Sequence, residues 1–234
     1  MNFFPLRVGR MGVVSCLALI VVNGPDREPP HVWSMLRYIL PFPIAEIRLL
    51  QDRIAEWPVE NGNDRERHLR RLDEIYREAV RIAEGDIRGA LFLAAGATIP
   101  YRWLSLRIPI VGAVVHVPLT FETTEEFEAR YRRLPSRLFP DTPPEGDRDK
   151  PPHVYGSAWL SCVIGNEGLV RLAGWLVEIG ETLFAVVGSN DIRDIRANSV
   201  GIDFADTLRI DGDAMPSHVL PPVSGGNEQK RERP

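Results

Sequence analysis

A histidine, three acids and an asparagine stand at spacings that could do chemistry in the second half of the chain: His153, Glu178, Glu181, Asp194 and Asn198. One imidazole and three carboxylates are enough to ligate a divalent metal ion, and histidine changes charge near neutral pH. The same four residues, His153, Glu178, Glu181 and Asp194, are therefore candidates both for metal binding and for general acid–base catalysis. Lys150 and Arg148 are the cations expected to hold an anionic substrate group, with Asn198 as a neutral contact. The competing expectation is structural. In it Asp149 and Asp191 cap helices, His153 donates to a glutamate and Asn198 ties two backbones together, so that a satisfied network fixes helix register. The sequence demands no cofactor, and a divalent metal is the one candidate.

Three helices must position these groups. Residues 147 to 160 read "DRDKPPHVYGSAWL". A helix starting at Lys150 would place Pro151 and Pro152 in its first turn, where proline forfeits no hydrogen bond, with Asp149 as its cap. His153 then shares a face with Gly156 and Ser157, followed by Leu160 and Ser161 one turn on. Gly165 supplies a stop. A second helix is expected from 167 to 187, where Leu169, Leu172, Leu176, Ile179 and Leu183 mark a buried stripe and Glu178 and Glu181 project from nearly one side. Ser189, Asn190 or Asp191 can cap a third helix, on which Asp194, Asn198 and Gly201 follow at i, i+4 and i+7.

The order Asp-Lys-x-x-His, a helix bearing glutamates, then Gly-Ser-x-x-x-x-Asp-x-x-Ala-Asn-x-x-Gly resembles the motif set of VanZ-like proteins and related periplasmic lipoproteins of unknown function. Here Asp149, Lys150, His153, Glu178, Glu181, Asp194, Asn198 and Gly201 carry it, across roughly residues 147–208. The resemblance implies a helical, membrane-linked setting and a polar cluster, with no settled reaction. The chain departs from that family, whose members cross the membrane several times. Its 167–187 segment carries Glu167, Arg171, Glu178 and Glu181, which excludes a lipid-exposed span.

The remainder of the chain reads as one domain. Ile44, Ile47, Leu50 and Ile54 predict an amphipathic helix over 44–57, and Leu69, Leu72, Ile75, Ala79 and Ile82 predict another over 65–84, capped by Asn63 or Asp64 and stopped by Gly85. Its arginine-rich outer face alternates with acids and reads as a solvated surface. The run "YRWLSLRIPIVGAVVHVPLTF" is rich in aromatic and β-branched residues, which predicts a strand pair over roughly 101–107 and 110–117, with Pro109 and Pro118 confining it to edges or ends. Thr123 or Thr124 can cap a helix over 125–134 that Pro135 ends. The fold class expected is a mainly helical α+β protein with a small β-hairpin and a carboxy-terminal helical subdomain, residues 147–210. The domain spans 32–220, after a linker over 25–31 and before a disordered tail over 221–234.

Composition limits function further. A formal charge of -4 gives no basic field for nucleic acid, so none is expected as a partner. The two cysteines, Cys16 and Cys162, form no disulfide framework. No zinc-type cysteine pairs, His-Glu-x-x-His, Gly-x-Ser-x-Gly or phosphate-binding glycine loop occurs. Arg7 and Arg10 precede the apolar run Met11 to Val22, whose twelve helical residues would rise about 18 Å, short of a hydrocarbon core of about 30 Å. Residues 1–24 therefore read as a signal peptide or membrane anchor. The expectation is an exported or membrane-tethered, lipoprotein-like protein on the periplasmic side, the alternative being a buried segment of a cytoplasmic domain. Function is expected to be binding or scaffolding of an envelope component or protein; the alternative is a metal-assisted hydrolase acting on an anionic envelope substrate.

Overall fold

The structure, a computed structural model, describes residues 43–59, 64–107, 114–164 and 192–221. In chain order the elements are α1 (Ile44–Glu56), α2 (Arg65–Ile82), α3 (Ile87–Ala97), β1 (Trp103–Arg107), β2 (Val114–Pro118), α4 (Thr124–Tyr131), α5 (Lys150–Ile164), α6 (Ile192–Ile210) and a 3-10 turn (Pro216–Val219). The two strands pair antiparallel, with Trp103 opposite Pro118 and Arg107 opposite Val114. The fold is thus mainly helical α+β. No helix among the described residues is long and apolar enough to cross a membrane.

Local chemistry explains the helix ends. The Asp64 carboxylate accepts from the Glu66 N–H and Asp86 from the Arg88 N–H, capping α2 and α3 at about 1 kcal/mol each. Thr123 begins α4 with a reciprocal box: its hydroxyl accepts from Glu126 N–H while the Glu126 carboxylate accepts from Thr123 N–H. At the other end of α2 the Gly85 N–H reaches Val80 O and the Glu84 N–H reaches Arg81 O, the Schellman pattern. The left-handed position of that pattern falls on Glu84, at φ 52°, one residue before the glycine expected to stop the helix.

α3 is the element the sequence conceals. Its residues IRGALFLAAGA are apolar nearly all round, so no amphipathic stripe announces a helix. Ala90, Leu91, Leu93, Ala94 and Ala97 are all fully buried, because α1, α2 and α5 pack around it. Gly96 lies close to α1: a Cβ on it would stand 2.7 Å from Ile47 Cδ1, so that side chain would have to shift. The shared core continues through Leu72, Ile75 and Tyr76 of α2 to Val154, Tyr155 and Ala158 of α5 and Phe204 and Ala205 of α6. The Tyr76 and Phe204 rings meet edge to face at 5.1 Å.

α5 and α6 run parallel. Lys150 meets Asp194 near their starts, Ser157 meets Gly201 midway, and Ser161 O accepts from Arg209 Nη2 near their ends. The closest approach is at Gly201, where an added Cβ would lie 2.2 Å from Val154 O. Only glycine lets the backbones come this close.

Candidate functional site

Parallel packing sets two helix amino termini side by side, so the positive ends of two dipoles share one small region. Acidic residues collect there as resident anions: Asp147 and Asp149 just before α5, and Asp194 in the first turn of α6. Lys150 sits among them, 1% exposed, its ammonium 2.5 Å from Asp194 Oδ1 and 2.8 Å from Asp149 Oδ2. Burial opposes the lysine charge, but hydrogen bonds to the two aspartates outweigh it and hold its pKa above the ordinary lysine value. Arg193 Nη1 pairs with both oxygens of Asp147 at 3.0 Å. Burial nonetheless pushes the Asp147 carboxyl above its usual range, against the pull of Arg193 and Lys150.

One turn along, His153 joins the same contact. Its Nε2 lies 3.6 Å from Asp194 Oδ1 and its Nδ1 lies 3.3 Å from Asn198 Oδ1. Asn198 Oδ1 also accepts from the Ser157 hydroxyl at 2.8 Å. With Asn198 in this orientation the shared oxygen makes His153 Nδ1 the donor, leaving Nε2 to face Asp194. His153, Asp194 and Asn198 are therefore brought together, along with Lys150 and Ser157. Glu178, Glu181 and the cap position Asp191 lie outside the described residues. The Asp149 carboxylate accepts from the Lys150 ammonium.

Two expected substrate contacts have different surroundings from those anticipated. Lys150 is directed inward to carboxylates. Arg148 stacks 5.0 Å over the Tyr131 ring on α4, and its Nε is buried without a hydrogen-bond partner among the described residues. Among the described residues no group of three or more His, Cys, Asp or Glu side chains is arranged to hold a metal ion. An open groove between α2 and Trp57 is lined by Arg71, Arg77 and Arg81 with Glu74 and Glu78, and none of the described candidate residues lines it.

A second ionic network lies between α1 and α4. Arg130 and Glu122, both 0% exposed in their side chains, form two parallel hydrogen bonds of 2.7 Å. The Arg130 Nη1 donates to Ala97 O and Ile99 O, so it also closes the carboxyl end of α3. Arg48 approaches from α1, 2.8 Å from Glu126 and 3.8 Å from Glu122. The sequence does hold a signal for this network. Arg130 falls three residues after Phe127, on the face of α4 turned to the core, where an arginine is retained only with partners.

No family model, curated protein or solved structure matches the chain.

Proposed function

We propose that this chain is an envelope-associated binding or scaffold protein whose His153, Lys150, Asp194, Asn198 and Ser157 cluster locks α5 against α6. The observation that carries this reading is the burial of Lys150 between Asp149 and Asp194. A lysine so engaged directs its ammonium to carboxylates of the chain itself, and the acids around it offset the positive ends of the paired helices. The Arg7, Arg10 and Met11 to Val22 pattern supports the envelope setting, as does the likeness of residues 147–208 to VanZ-like proteins.

Metal-assisted hydrolysis is the second reading. It is favoured by one observation: His153 Nε2 faces Asp194 Oδ1 at 3.6 Å, with the histidine 20% exposed. Elemental analysis of the purified chain, with His153→Ala and Asp194→Ala beside it, separates the two. The lock predicts unchanged metal content and lowered thermal stability in both variants. Stoichiometric metal that both substitutions abolish would replace it with the hydrolase.

A further inference from the structure

The arginines of α2 do not all face solvent. Arg71 is 3% exposed and lies against Trp57, its guanidinium carbon 4.8 Å from the ring centroid, while its Nη2 donates to Pro58 O at 3.0 Å. Arg133, just past α4, donates through Nε to Trp57 O. Trp57 and Pro58 are thereby held against α2. The open groove between them and the helix has a volume of about 470 Å³, within the range of roughly 300–1,000 Å³ typical of small-ligand sites.

Charge in the groove is unevenly committed. Its helix wall carries Arg71, Glu74, Arg77, Glu78 and Arg81. Both acids are already engaged: Glu74 with Arg71 at 3.2 Å, and Glu78 with Arg53 at 3.8 Å and with Arg81, whose Nε donates to it at 2.9 Å. The hydrogen bond from Arg81 holds the Glu78 carboxyl below its usual range, so it stays ionised and keeps its arginine at neutral pH. Arg77 is exposed and has no ion pair or hydrogen bond among the described residues. One uncommitted guanidinium thus shares the groove with the apolar surfaces of Trp57 and Pro58.

Guanidinium groups bind carboxylates and phosphates through paired hydrogen bonds. Two ionised glutamates in the same wall oppose a dianion more strongly than a monoanion, which favours a carboxylate over a phosphate. Arg71, which marks the Trp57 ring, and Arg77 are separated by a helical rise of about 9 Å. That separation favours an acid group carried a short chain away from a ring.

We propose that the groove between α2 and Trp57 binds an organic monocarboxylate with an aromatic body, its carboxylate on Arg77 and its ring against Trp57 and Pro58. The site lies apart from the α5–α6 contact and stands independently of the scaffold reading.

NMR titration of the isotope-labelled full chain with hydrocinnamate, whose phenyl ring is joined to its carboxylate by a two-carbon chain, tests it. The Trp57 indole and Arg77 side-chain N–H signals should shift and saturate together, with a Kd on the order of 1 mM or tighter. Arg77→Met should weaken binding at least about tenfold, the scale of a lost charged hydrogen bond, while thermal stability holds because the side chain is exposed. Arg77→Lys keeps the charge but not the fork and should recover part of that loss. Arg70→Met, on the same helix but outside the groove, should bind like the parent. Hydrocinnamamide, the uncharged isostere, and inorganic phosphate should each bind at least about tenfold more weakly than hydrocinnamate. Shifts that never saturate, equal losses in Arg70→Met and Arg77→Met, or amide or phosphate binding as tight as that of the acid would each overturn the proposal.

Discussion

Lys150 and Asp194, 44 residues apart in the chain, meet at 2.5 Å where α5 and α6 begin, and only 1% of the lysine is exposed. The contact exists because the two helices run parallel, which sets their amino ends and first-turn residues together. Their positive dipole ends would repel one another without nearby acids. Asp147, Asp149 and Asp194 supply those acids, and Lys150 and Arg193 join the acids into one network.

The approach of α5 to α6 depends on Gly201. An alanine there would drive its Cβ to 2.2 Å from Val154 O and 2.9 Å from Ser157 Cβ, so the helices must separate. Gly201→Ala should lower stability by about 1 to 3 kcal/mol or more in urea titration. Gly156→Ala is the control, since nothing lies within 4 Å of its added methyl. It should be neutral or stabilising by up to about 1 kcal/mol through helix propensity.

Alkaline pH should weaken the fold through two groups. Burial, with the nearby Cys162, pushes the Tyr76 hydroxyl up to about 12. A group whose folded pKa is raised contributes stability that is complete below its unfolded value, about 10 for tyrosine, and is lost as pH rises through the folded value. Lys150 obeys the same sign: its contribution is complete below about 10.4 and is lost only at higher pH still. Urea midpoints should therefore show no pH dependence from either group between pH 7 and 9, where both contributions are complete, and fall above about pH 10. Tyr76→Phe should reduce the alkaline loss. It should also stabilise the neutral protein by about 1 kcal/mol or more, because the buried Tyr76 hydroxyl has no hydrogen-bond partner among the described residues.

Arg130→Met should be among the most damaging single changes outside the α5–α6 contact. It strands Glu122 at 0% exposure and removes the donors from Ala97 O and Ile99 O. The expected loss is about 3 to 5 kcal/mol by chemical denaturation. Adding Glu122→Leu should recover part of it, since the second change removes the stranded charge.

What the sequence makes legible follows from chemistry that is local. The stripe in α2, the Asp64 cap, the Thr123 cap and the prolines starting α5 each act within a few residues, so counting along the chain finds them. The pairing of His153 with Asp194 and Asn198 was accessible because i, i+4 and i+7 spacings place residues on one face before any partner helix is known. α3 is hidden because it is apolar nearly all round, which erases the amphipathic signal on which such counting depends. The strands fall in the segments whose β-branched and aromatic texture predicts them, with residues 110–113 of the expected second strand outside the described residues. The Glu122, Arg130 and Arg48 network joins α1, the carboxyl end of α3 and α4; the spacing of Arg130 from Phe127 marks one member of it, but no local spacing encodes its partners. The inward direction of Lys150 likewise depends on which helix lies beside it.

The α5–α6 lock is tested most directly by a double-mutant cycle on Lys150 and Asp194, using Lys150→Met, Asp194→Leu and the pair, with stability read from urea denaturation at neutral pH. Lys150→Met should cost about 3 to 5 kcal/mol, because it leaves buried Asp194 without its lysine, and Asp194→Leu should cost less, because Asp149 still pairs with Lys150. The double variant should be less damaged than the two losses summed, giving a coupling energy of about 1 to 3 kcal/mol. Additive losses, or single changes that leave stability untouched, would contradict the lock.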